Sequence, residues 1–112
     1  ELLDPERAAA DFTTVVELDP DDPRGRLARS IARRQSGDLA GALADADELV
    51  CRDERMPAGH AQRAAAKYQM SRFAEAAADY RAALARMGDD PDAGTLNSLA
   101  WLLATAPDEG VW

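Results

Sequence analysis

The chain has 112 residues, a formal net charge of −8 and one cysteine, Cys51. That length suffices for one domain. The acidic balance argues against a nucleic-acid surface, which needs cations to neutralise phosphate, and a lone cysteine excludes a disulfide framework or a cysteine-built metal site. Apolar residues make up 46% and aromatic residues only 5%; many of the former are alanine, which implies closely spaced helices packed through small side chains. No apolar run is long enough to span a membrane as a helix.

The sequence predicts six helices and no strand, an all-α chain. They run over roughly 5–18, 23–36, 39–52, 57–70, 73–87 and 91–105. Asp4-Pro5 opens the first, Asp22-Pro23 the second and Asp90-Pro91 the last. Each pair sets a capping acid before a proline at the first helical position, where the missing N–H costs nothing. Gly37 and Gly88 suit the left-handed residue that ends a helix.

Three of these helices align at a fixed offset. Residues 6–16, 40–50 and 74–84 place Ala8, Ala42 and Ala76 at intervals of 34, with Asp11, Asp45 and Asp79 and then Val15, Leu49 and Ala83 in the same phase. Phe12 and Tyr80 share a column in which Ala46 is the odd member. A 34-residue period with a small residue, an aromatic four later, a small or apolar residue three after that and a proline five further on resembles the second half of a tetratricopeptide repeat (TPR). Ala8, Phe12, Val15 and Pro20 match throughout; the third copy has Gly88, and the middle one Glu54, in place of the proline. Gly37-Asp38-Leu39 is similar to the inter-helix turn of that family, and residues 97–108 resemble a stretch common in bacterial TPR proteins.

The resemblance implies a right-handed superhelix, an α-solenoid of antiparallel helix pairs. It divides the chain into 1–20 (second helix of a truncated repeat), 21–54, 55–88 and 89–112 (first helix of a truncated repeat). It further implies a non-catalytic protein-binding scaffold of bacterial type, expected in the cytoplasm, that needs no cofactor. Its partner would be a peptide or protein, with neither nucleic acid nor membrane involved. The alternative is a regulatory or oligomerisation segment of a larger bacterial multidomain enzyme whose catalytic part lies outside these residues.

Charge is segregated. Residues 24–36 and 55–72 hold nine cations and no acid, so with −8 overall the remainder carries −17. First helices of TPR repeats line the concave face, so the resemblance implies a basic inner surface. The pattern reads either as solvated faces with internal ion pairs or as a groove for an acidic ligand. The candidate peptide contacts are Arg24, Leu27, Ile31, Arg34, Ala61, Tyr68 and Gln69, with Arg33 and Lys67 adding to the basic field. Arg29 precedes Asp45, and Arg63 precedes Asp79, by 16 residues. Antiparallel helices bring such positions face to face, so both pairs are expected as structural ion pairs. One conflict stays open: the family register buries Arg29, Ser30 and Arg33, whereas the apolar stripe is Leu27, Ala28, Ile31 and Ala32.

No catalytic constellation emerges. His60, the only histidine, reads as a surface residue at a helix start. Ser71 and Ser98 have no base in a recognisable arrangement, and the paired aspartates read as caps, since the spaced oxygen ligands of a calcium loop are missing. Cys51 reads as an inert thiol and Trp101 as a packing residue. Leu96, Leu99, Ala100, Trp101, Leu102 and Leu103 make the last helix apolar nearly all round. Cover is expected from self-association or from Val111-Trp112 folding back.

Overall fold

A computed structural model describes residues 4–105; the Val111-Trp112 tail lies outside the described residues. The chain forms α1 (Pro5–Leu18), α2 (Pro23–Ser36), α3 (Leu39–Arg52), α4 (Pro57–Gln69), α5 (Phe73–Met87) and α6 (Ala93–Thr105), with no strand among the described residues.

The helix starts follow local chemistry. The Asp4 carboxylate accepts from the N–H groups of Glu6 and Arg7 at 3.1 and 3.3 Å, and Asp22 accepts from Arg24 N–H at 3.0 Å. At the third Asp-Pro the helix starts two residues later than its sequence predicts. Asp92, not Asp90, is the cap, because its Oδ2 takes both the N–H of Thr95 at 2.9 Å and its hydroxyl at 3.1 Å. Gly37 ends α2 at φ +95°, and Ser71 holds the same column after α4 at φ +64°. The 34-residue period thus puts a serine into a backbone conformation that glycine adopts without strain.

Each helix packs on the next in chain order, and α2 also reaches α4. Within the α2–α3 pair, side-chain bonds join Ser30 to Ala42 and Arg29 to Asp45: partners rise in number on one helix as they fall on the other, so the pair is antiparallel. Successive pairs approach through residues without bulk. Ala42 and Ala76 are fully buried. A Cβ on Gly25 would meet Val15 at 3.0 Å and Val16 at 3.4 Å; on Gly59, 34 residues later, it would meet Leu49 at 3.3 Å and Val50 at 3.4 Å. Towards the C-terminal end Ala64, Ala76, Ala77, Tyr80 and Leu102 form the core, with Tyr68, Phe73, Leu99 and Leu103 packed against it.

Candidate functional site

The face shared by α2, α4 and α6 is built on a floor of ion pairs. Arg29 binds Asp45 through two hydrogen bonds, at 2.7 and 3.0 Å, and Arg63 binds Asp79 through two at 2.9 Å. Both carboxylates are nearly enclosed, at 5% and 8% side-chain exposure. Each takes a second cation one helical turn further along the same helix: Arg33 reaches Asp45, and Lys67 reaches Asp79, both at 3.0 Å. Arg29 and Arg63 also reach back 16 residues, to Thr13 at 3.3 Å and Asp47 at 3.4 Å. Arg33 and Lys67, expected to add to the basic field of the groove, are thus each matched by an aspartate. Residues four apart share one face of a helix, so the cation following each paired arginine meets the same aspartate. Asp11, the same column in α1, is exposed and makes no ion pair among the described residues.

The open conflict of register resolves between the two readings: Ser30 of the polar column and Ala32 of the apolar stripe are both buried, and Arg29 and Arg33 are half-buried. Ser30 is 1% exposed and its hydroxyl donates to the Ala42 carbonyl at 3.0 Å, while Leu27 and Ile31 are only half-buried. Charges can occupy that side because they are matched across the helix pair.

His60 is a second correction. It is buried, not a surface residue, and its Nε2–H donates to the Glu54 carbonyl at 2.9 Å. Arg26, one period earlier, is also buried and donates to the Pro20 carbonyl at 3.2 Å. The same two carbonyls accept from Arg52 (onto Pro20, 3.3 Å) and Arg86 (onto Glu54), again one period apart. Neither set follows from apolar periodicity; only comparing polar residues at an offset of 34 would have found it.

Above this floor lies a groove between α4 and α6. Arg34, Ala65, Tyr68, Gln69, Tyr80, Ser98 and Trp101 enclose a cavity of about 290 Å³. An adjoining cavity of about 300 Å³ shares Arg34, Ala65, Tyr80 and Ser98 and adds Ala61, Gln62 and Asp92. Four of the seven predicted contacts, Arg34, Ala61, Tyr68 and Gln69, thus line one groove. Leu27 and Ile31 lie outside its lining. Arg24 sits beside Phe12 and Val15, its side chain 89% exposed and paired with Asp22 at 2.6 Å. Trp101, expected to pack, is 63% exposed and lines the groove. Tyr68 meets Phe73 edge-on, with ring centroids 5.7 Å apart.

Arg34 differs from its neighbours on α2. Its Nη2 donates to the Gln62 amide oxygen at 3.4 Å, its Nε is buried without a hydrogen-bond partner, and no carboxylate pairs with it among the described residues. Tyr80 closes the floor beside it. Burial raises the Tyr80 hydroxyl above the ordinary phenol range, partly offset by its hydrogen bond with Ser98 and the nearby Arg34 charge. Among the described residues no group of histidine, cysteine and acidic side chains could hold a metal ion, and no helix is long and apolar enough to cross a membrane.

This is the fold of tetratricopeptide-repeat domains. The chain superposes on the first TPR of Spaghetti (RPAP3), bound to the HSP90 peptide SRMEEVD, with a TM-score of 0.79 and 21% identity, over 89% of this chain and 78% of the other. The TPR2B domain of yeast Sti1, in complex with an Hsp70 peptide, gives 0.78 and 20% over 91% and 82%. The Arabidopsis OM64 TPR domain gives 0.79 and 20% over 90% and 82%. The sequence matches no family model and no curated protein.

Proposed function

We propose that this chain is a non-catalytic scaffold that holds a peptide segment of another protein in the groove between α4 and α6, and that the segment is acidic at its point of contact. The observation that carries this reading is Arg34, a cation lining the groove with no carboxylate paired to it among the described residues. Tyr68 and Trp101 supply flat apolar surface beside it. The solved neighbours that hold HSP90 and Hsp70 peptides support the same use of the fold. The repeat division at 21–54 and 55–88 and a bacterial, cytoplasmic setting belong to this proposal.

The test is nuclear magnetic resonance titration of the labelled chain with capped acidic peptides at two salt concentrations. Shifts should concentrate at Ala61, Ala65, Gln69 and Ser98, and binding should weaken as salt screens the charges. Shifts confined to the outer faces of α3 and α5, or affinity that is flat with salt, would sink the reading.

A further inference from the structure

We infer that the groove reads one acidic side chain within a mixed sequence, rather than a run of acids or a chain terminus. The inference rests on the peptide-groove reading above and sharpens it. Six cations from the two acid-free stretches are already matched: Arg24 by Asp22, Arg29 and Arg33 by Asp45, Arg63 and Lys67 by Asp79, and Arg72 by Glu75. Arg26 is spent on the Pro20 carbonyl, and Arg55 is exposed and lines none of the groove's cavities. The groove therefore offers the charge of one guanidinium, which among the described residues hydrogen-bonds to an amide oxygen and to no carboxylate. A guanidinium binds a carboxylate through parallel N–H bonds, a geometry an amide oxygen does not satisfy.

The surroundings set what stands on either side of the bound acid. One cavity next to Arg34 has aromatic walls, Tyr68 and Trp101, and no acid. The other contains Asp92, whose Oδ2 caps α6 through Thr95. Beyond Asp92 a third cavity continues past Gln62 and Ala61 to Met56, Met87 and Asp90. Because space continues on both sides of Arg34, a ligand chain passes through and its carboxylate arrives as a side chain. Its neighbour on one side meets aromatic surface. Its neighbour on the other side faces Asp92 and Asp90, where a second acid is repelled and a neutral or basic residue is accepted.

The probes are acetylated heptapeptides, amide-capped at the C-terminus except where stated, titrated calorimetrically into the whole chain. One carries a single glutamate between leucine and lysine, made in both orders. A second carries four consecutive glutamates. A third has glutamine for the glutamate and a free C-terminal carboxylate. The single-glutamate peptide, in one of its two orders, should bind about tenfold or more tightly than the other two, the worth of one charge-assisted contact. Arg34→Glu should weaken it by about tenfold or more and favour the peptide with lysine in place of glutamate, with an unchanged helical spectrum and melting temperature. Asp92→Asn, a residue that still caps, should remove most of the penalty against the four-glutamate peptide. Tightest binding by that peptide or by the free C-terminus, or full affinity for the glutamate peptide in Arg34→Glu, overturns this inference and leaves the scaffold reading standing. Absence of binding by every peptide to the unmodified chain overturns both.

Discussion

His60 stands one period after Arg26, and each donates to the backbone carbonyl six residues before it, of Glu54 and Pro20 respectively. The two residue types differ, but the bond they make is the same: a buried donor on a first helix closing the loop that enters it. His60→Ala should cost about 1–3 kcal/mol, the range for a lost buried hydrogen bond and an unfilled site, read from urea unfolding. His60→Arg should recover part of the loss, since the equivalent site already holds an arginine. A histidine that serves only as filler would leave the alanine variant at wild-type stability.

Asp45 serves two half-buried cations, so its removal strands both. Asp45→Ala should destabilise by about 3 kcal/mol or more, the cost of an unmatched buried charge. Asp11→Ala, the exposed member of the same column, should change stability by less than about 0.5 kcal/mol. Equal effects in denaturant titrations would show that the enclosed pairs contribute nothing beyond surface charge.

Ser71 occupies the left-handed position that Gly37 fills one period earlier. Its N–H bonds to the Tyr68 carbonyl at 3.0 Å and that of Arg72 to the Lys67 carbonyl at 2.8 Å, the same closure Gly37 and Asp38 make after α2. Ser71→Gly keeps these bonds and releases the side-chain strain. It should stabilise by about 0.5–1 kcal/mol, net of the extra entropy of glycine in the unfolded chain. A fall in melting temperature would contradict this.

The Tyr80 hydroxyl is raised above its usual 10.0, chiefly by burial. A folded-state value above the unfolded one favours the neutral phenol, so the stability tied to it is fully present below pH 10 and lost as pH rises through the folded-state value. Tyr80→Phe removes this loss. The stability of the variant minus that of the wild type should therefore grow above pH 10 and stay constant between pH 7 and 9; a constant difference throughout would contradict the linkage.

On α6, Leu102 is fully buried, but Leu96 and Trp101 are 44% and 63% exposed. We propose that the Leu96 side associates weakly with a second copy. Sedimentation should show mass rising with concentration, and Leu96→Glu should return it to the monomer. A concentration-independent monomer would remove the proposal.

Much of this fold was legible because its signals are local or periodic. Asp4-Pro5 and Asp22-Pro23 carry the caps and the first-turn prolines together, and the 34-residue offset orders the helices. Where two signals competed locally, at Asp90 and Asp92, the capping bonds to Thr95 decided and sequence could not weigh them. In the groove, Arg34 was legible as a charge but not as an unmatched one. Matching depends on which cations share a helical turn with Arg29 and Arg63, and Arg33 and Lys67 do. The burial of His60 and the exposure of Trp101 went unread because composition suggests the opposite of each, and only the packed helices decide which side a residue takes.

The spacing of the helices depends on groups that ligand-facing evolution cannot easily reach. Gly25 and Gly59 contribute closeness by having no side chain, and the Pro20 and Glu54 carbonyls belong to the backbone. None of them lines the cavities around Arg34. Shape and taste are thereby separate variables: positions 34, 65, 69, 98 and 101 are open to rewriting for a new ligand while the pitch of the array stays constant. A library randomised at those positions should yield folded members at high frequency, whereas one randomised at 25 and 59 should not.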